Sequence, residues 1–209
     1  IFLFMCFKVK LIKANITIFA CKIKKIKKFF LLLILLNTKL VLGQSANAVF
    51  IDSDIKVDGI PDETEWNKAK FNSKFWQYFP LDSIEAPDQT KFKVLYNNEN
   101  LYVLVVSNFD DNEFVVSSLK RDWSSRDNDS VTLVLDTFND ATNAFLFGIS
   151  AEGVRREGLI SNGGNGSGSS RGFSFSWDVK WEGEISKNEN ILIAEFKIPL
   201  ASLRYNDKS

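Results

Sequence analysis

The chain has 209 residues, with 26 basic and 26 acidic side chains, no histidine and two cysteines. Its zero formal net charge hides a division: lysines 8, 10, 13, 22, 24, 25, 27, 28 and 39 lie in residues 1–43, which carry no acid, so the part from Gln44 onward is near −9. That acidic balance excludes nucleic acid as the expected partner, because phosphates need a basic face. Cys6 and Cys21 both precede Gln44, so the remainder lacks disulfides, Cys/His zinc sites and His-dependent nucleophiles.

Residues 1–43 read as a leader. Lys22, Lys24, Lys25, Lys27 and Lys28 form a basic run, and Phe29 to Leu36 form an apolar stretch too short to span a bilayer. Val41-Leu42-Gly43 supplies a cleavage end, so the expected signal peptide spans about 22–43 and the mature chain begins near Gln44. An uncleaved anchor is the alternative. The chain does not start with Met and stops at Asn206-Asp207-Lys208-Ser209, which suggests truncation.

The mature part opens with Val57-Asp58-Gly59-Ile60-Pro61-Asp62-Glu63-Thr64-Glu65-Trp66. Asp58-Gly59 is a turn dipeptide, because Gly accepts positive φ. Pro61 starts a short helix whose apolar edge is Trp66 and Ala69. Period-two alternation then dominates. Phe92, Val94 and Tyr96 form a strand, Asn97 to Asn100 a turn, and Leu101 to Val106 a strand apolar enough to be buried on both faces. Val131 to Leu135 and Phe145 to Ile149 follow, then the turn Ala151-Glu152-Gly153. Ser161 to Gly172 is a Gly/Ser/Asn loop. In the last strand Leu192, Ala194, Phe196 and Ile198 face the core while Glu195 and Lys197 point away, and Leu200 to Leu203 makes a turn. Short strands at this spacing, with no long amphipathic helix, predict an antiparallel β-sandwich over residues 44–209.

Five tryptophans (66, 76, 123, 177 and 181) all follow Gln44. Sugars offer C–H patches to aromatic faces and hydroxyls to polar neighbours. Trp66 is expected to fill the core, and Trp177 and Trp181 share one side with Val179. Trp123 sits in the polar stretch Lys120 to Asp127, where a core role is not expected, so it is the leading ligand contact. Arg121 or Arg126 would bind hydroxyls, with Trp177 opposing and Trp76 next. Acidic loops place Asp127, Asp129, Asp136 and Asp140 near one another in sequence, and calcium, which takes about six to eight oxygen ligands, is the expected ion. Solvated strand ends are the plainer reading.

The opening segment resembles family 9 carbohydrate-binding modules. So do Tyr96 to Val103, Asp127-Asn128-Asp129-Ser130-Val131 leading to Leu135-Asp136, and Ala194-Glu195-Phe196-Lys197-Ile198-Pro199. Arg121-Asp122, Asp136 to Asp140, Trp177-Asp178 and Ser202 to Tyr205 resemble the N-terminal module of large Gram-negative envelope proteins. This resemblance implies an exported, non-catalytic domain binding a polysaccharide or oligosaccharide, in the periplasm, outer membrane or extracellular space. Membrane association would come through a missing C-terminal region. It also implies two aromatics sandwiching the sugar, one shortly before the Asp-Ser-Val segment. Here Arg126 stands nearer Asp129 than Trp123 does. A glycoside hydrolase role for the parent protein, or a structural domain preceding a barrel, are the alternatives.

Overall fold

The computed structural model describes residues 45–205 except 79, 82–83, 109–113, 125–127, 166–171 and 189. The expected signal peptide therefore lies outside the described residues. Among those described, nine strands form two sheets. The first contains β1 (Val49–Phe50), β2 (Thr90–Tyr96), β3 (Asn100–Asn108), β9 (Ile191–Pro199) and β8 (Glu182–Asn188), in the order β1-β2-β3-β9-β8. The second contains β4 (Ser130–Leu135), β5 (Ala144–Ser150), β6 (Arg155–Ile160) and β7 (Phe173–Ser174), in chain order. Every pairing is antiparallel except β1 with β2. The helical segments are 3-10 turns at Thr64–Lys68, Asn162–Gly164 and Leu200–Ser202.

Alternation along the strands sorts the side chains. Val103, Val105, Ala194, Phe196 and Ile198 of the first sheet bury against Phe145, Phe147 and Ile149 of the second. The Trp181 and Phe196 rings stack at 5.8 Å and 5° in this interior. Each such large side chain contributes about 1.5–3 kcal/mol by leaving water. This is the β-sandwich that the period-two pattern predicts.

The first sheet is also covered on its other face. Leu95, Tyr102 and Leu104 pack there under Ile51, Ile55, Trp66 and Ala69 from the segment before β2. The two-faced burial of β3 and the core role of Trp66 both follow expectation. Glu195 does point away from the inter-sheet core, but into this second apolar layer rather than into solvent. It is fully buried, and its Oε2 accepts the Gly59 N–H at 2.8 Å and the Asp58 N–H at 3.3 Å. Gly59 has φ +81°, and a Cβ there would come within 3.2 Å of the Ser186 Cβ, so both conformation and space call for glycine. The Asp-Gly turn that opens the domain is thus fastened to the strand that closes it.

Candidate functional site

Trp123 does not occupy the surface. It is 3% exposed, so the expectation of a solvent-facing ligand contact in a polar loop is corrected. Phe147 and Glu157 are paired and face the interior, which puts Arg156 on the outer face of the second sheet. Arg156 lies over Trp123 at 4.1 Å from the ring centroid and donates from Nη1 to the Trp123 carbonyl at 3.0 Å. The Trp123 indole N–H donates to the Val154 carbonyl at 2.9 Å. Asp122, at φ +59°, turns the chain immediately before it. One apolar side chain in a charged loop therefore folds back as the loop's anchor.

Trp177 is partly buried. It packs edge-on against Phe147 at 5.9 Å and tilted against Phe145 at 5.2 Å, inside the sandwich. Trp181 is also buried and meets Phe147 at 5.4 Å. The shared side expected for Trp177 and Trp181 is present, and it is the core side. Arg126 and Asp127 lie outside the described residues.

Trp76 is the one exposed tryptophan of the five, at 59%. It belongs to an arm that leaves β2's edge and folds back on itself. Gln77 donates to the Ile84 carbonyl at 3.1 Å, Ala86 donates to the Phe75 carbonyl at 2.9 Å, and Trp76 and Glu85 form an isolated bridge. Phe75 holds the base of the arm by packing on Phe92 at 5.7 Å. Tyr78, two residues on, is 93% exposed.

Arg121 takes part in a different feature. Its Nη2 donates to buried Glu157 and, at 2.9 Å, to Asp178. Glu157 also accepts the Trp181 indole N–H at 2.9 Å. The Glu157 hydrogen bond foremost, helped by the charge of Asp178, holds the Arg121 guanidinium even more firmly protonated than usual. Arg155 donates to the Trp181 carbonyl at 2.9 Å, and its guanidinium lies 5.8 Å from the Trp181 ring centroid. Arg121, Arg155, Asp178, Val179, Lys180 and Trp181 line a cleft of about 350 Å³. Glu157 was not singled out from sequence. Its signal is the run of three charged residues, Arg155-Arg156-Glu157, that opens β6 before Gly158-Leu159-Ile160.

A second cleft, of about 330 Å³, is lined by Ile51, Asp52, Asp54, Asn97, Asn98 and Glu99. There the Tyr102 hydroxyl donates to Asp54 at 2.6 Å. That bond, with help from Asn97, lowers the Asp54 carboxyl below its ordinary range, while burial pushes the Tyr102 hydroxyl up to about 12.

The acidic loops are organised by backbone donors. Asp129 accepts the Val115 N–H at 2.8 Å. Asp136 accepts from Asp140 and Ala141, and Asp140 from Thr142 and Asn143. The Asn143 amide and these N–H groups depress the Asp140 carboxyl strongly. Among the described residues, no three carboxylates gather as a cation cage.

No protein-family model matches the chain, and no curated protein does. Among solved structures, two of a family 9 carbohydrate-binding module from Caldicellulosiruptor kristjanssonii are similar. The one in complex with glucose is 17% identical, with a TM-score of 0.48, covering 77% of this chain and 72% of that one. The one in complex with cellotriose is 17% identical, also at 0.48, covering 74% and 67%. The two-sheet assignment itself stands on the strand pairing above.

Proposed function

We propose that this chain is an exported, non-catalytic saccharide-binding domain of a larger envelope protein, with Trp76 and Tyr78 as its stacking surface. The carrying observation is the hydrogen-bonded arm that holds Trp76 and Tyr78 out in solvent, while every other indole is at least partly buried. An exposed indole beside an exposed phenol, with Gln77 between them, supplies the apolar faces and polar tips that a sugar ring requires. The sequence resemblance supports the same class of ligand. The roles expected of Trp123 and Trp177 pass to these two residues.

Titration calorimetry with a panel of neutral oligosaccharides tests this reading. Trp76→Ala removes an aromatic contact of about 1–1.5 kcal/mol, so binding is expected to weaken by roughly tenfold. Its exposure predicts an unchanged unfolding midpoint. Absence of binding by the intact domain, or equal affinity in the variant, overturns it.

Calcium at the turn after β4 is a second proposal, supported by Asp136 and Asp140 in that one turn; Asp129 stands at the opposite end of β4 and does not share it. Each carboxylate oxygen has more than one lone pair, so a backbone N–H and an ion are compatible on one group. Millimolar calcium is expected to raise the melting temperature above that in excess chelator, because an ion that binds only the folded state stabilises it. Identical melting in both conditions removes the ion.

A further inference from the structure

We infer that the cleft between Arg121 and Lys180 is a binding site for an anionic sugar, one that carries a carboxylate such as a hexuronate. The saccharide part of this inference rests on the reading above, whereas the anion part rests on the cleft alone. Three cations, Arg121, Arg155 and Lys180, line this one cleft. The chain from Gln44 onward is near −9, so a concentration of cations at one concave place stands against the overall field. The cleft's own carboxylates do not neutralise all three. Glu157 is occupied on both oxygens, by Arg121 and by the Trp181 indole. Asp178 is paired to Arg121 as well. The described contact of Arg155 is to a neutral acceptor, the Trp181 carbonyl, and no ion pair is described for Arg155 or Lys180.

The arrangement divides the labour. Arg121 is fixed by Glu157 and Asp178 and gives the cleft a rigid wall. Arg155 and Lys180 are exposed and supply the charge that a ligand meets. A guanidinium matches a carboxylate with two parallel N–H bonds, and a nearby ammonium adds a point charge. Asp178 presents an exposed acceptor on the same rim, suited to a sugar hydroxyl. The volume, about 350 Å³, is within the range that small-ligand sites occupy.

The test compares a hexuronate oligosaccharide with the neutral hexose oligosaccharide of equal length, by calorimetry at low and raised salt. The wild-type domain is expected to bind the hexuronate at least about tenfold more tightly, with an advantage that shrinks as salt rises. The double variant Arg155→Gln/Lys180→Gln, both positions being exposed, should lose that advantage and keep its affinity for the neutral sugar. Trp76→Ala, on an arm at β2 and outside the cleft lining, should weaken the neutral sugar and leave the hexuronate site in place. Equal affinity for the two sugars, or a double variant that still prefers the hexuronate, overturns the anion site and leaves the stacking surface standing. Binding of the hexuronate alone, unaffected by Trp76→Ala, supports the cleft and overturns the stacking surface. No binding of either sugar overturns both.

Discussion

Trp123→Ala is expected to destabilise the domain by about 3–5 kcal/mol, read as a large fall in the midpoint of urea or thermal unfolding. Two losses combine. Removing the indole opens a cavity where a 3% exposed side chain stood. It also strips the ring from Arg156, which is itself 4% exposed and whose Nε is without a hydrogen-bond partner. An Arg in that setting depends on its remaining contacts, the Trp123 ring and carbonyl, the Thr132 hydroxyl at 3.5 Å and the more distant Phe175 ring at 5.8 Å. Trp123→Phe keeps an aromatic face for Arg156 and gives up the bond to the Val154 carbonyl, so it should recover most of the loss, falling short by about 1 kcal/mol. A Trp123→Ala protein that melts like the wild type but binds no sugar would restore Trp123 to the ligand site and sink this account.

Trp123 also shows where sequence reading stops. Its neighbours Arg121, Asp122, Ser124 and Arg126 are all polar, and loop polarity is a statement about averages over a segment. A loop needs an anchor, and which residue serves is decided by the surface it lands on, here the outer face of β5 and β6. That surface depends on Gly148, where a Cβ would come within 3.1 Å of both the Arg156 Nε and the Thr132 Oγ1, so the room for Arg156 is set by a glycine on another strand. No local pattern carries that information.

The strands were legible for the opposite reason. β2, β3, β4, β5 and β9 each bury at least one face in an apolar layer, so alternation is written directly into Phe92 to Tyr96, Val131 to Leu135 and Leu192 to Ile198. β6 and β8 were not singled out, because Arg155, Arg156, Glu157, Glu182, Glu184 and Lys187 interrupt the apolar pattern. In β6 the inward position is taken by a charged residue, Glu157, that is satisfied from two sides. The candidate cleft was half legible. Arg121-Asp122 and Trp177-Asp178 stand among several segments that carry the resemblance, and the structure joins these two through the Arg121–Asp178 bond, while Glu157 and Arg155 complete the group from β6, whose charged residues give no strand pattern.

Glu195 gives the second large effect, and its sign is set by burial. Desolvation foremost, with the charges of Glu63 and Asp58 adding to it, raises the Glu195 carboxyl above its ordinary value; the Gly59 and Asp58 N–H groups pull the other way without prevailing. A carboxyl whose folded pKa is raised favours folding fully below its unfolded value of about 4.3, and that contribution is lost as pH rises through the folded pKa. The lowered carboxyls of Asp54, Asp58 and Asp140 act in the reverse direction, their contribution disappearing as pH falls. A comparison of wild type with Glu195→Gln cancels those and isolates the one group. The glutamine carbonyl keeps an acceptor for Gly59 and Asp58 but never ionises. The two proteins should therefore differ by a constant below about pH 4. The variant should then gain on the wild type as pH rises, with a slope no steeper than about 1.4 kcal/mol per pH unit, until Glu195 is ionised. Relative to Glu195→Gln, Glu195→Ala is expected to cost about 1–3 kcal/mol at every pH, because it leaves the Gly59 and Asp58 N–H groups without their acceptor. Unfolding midpoints from pH 4 to 8 for the three proteins decide the matter. A Glu195→Gln variant that loses ground to the wild type as pH rises would mean that the ionised carboxylate holds the Asp58-Gly59 turn, and that burial does not control this site.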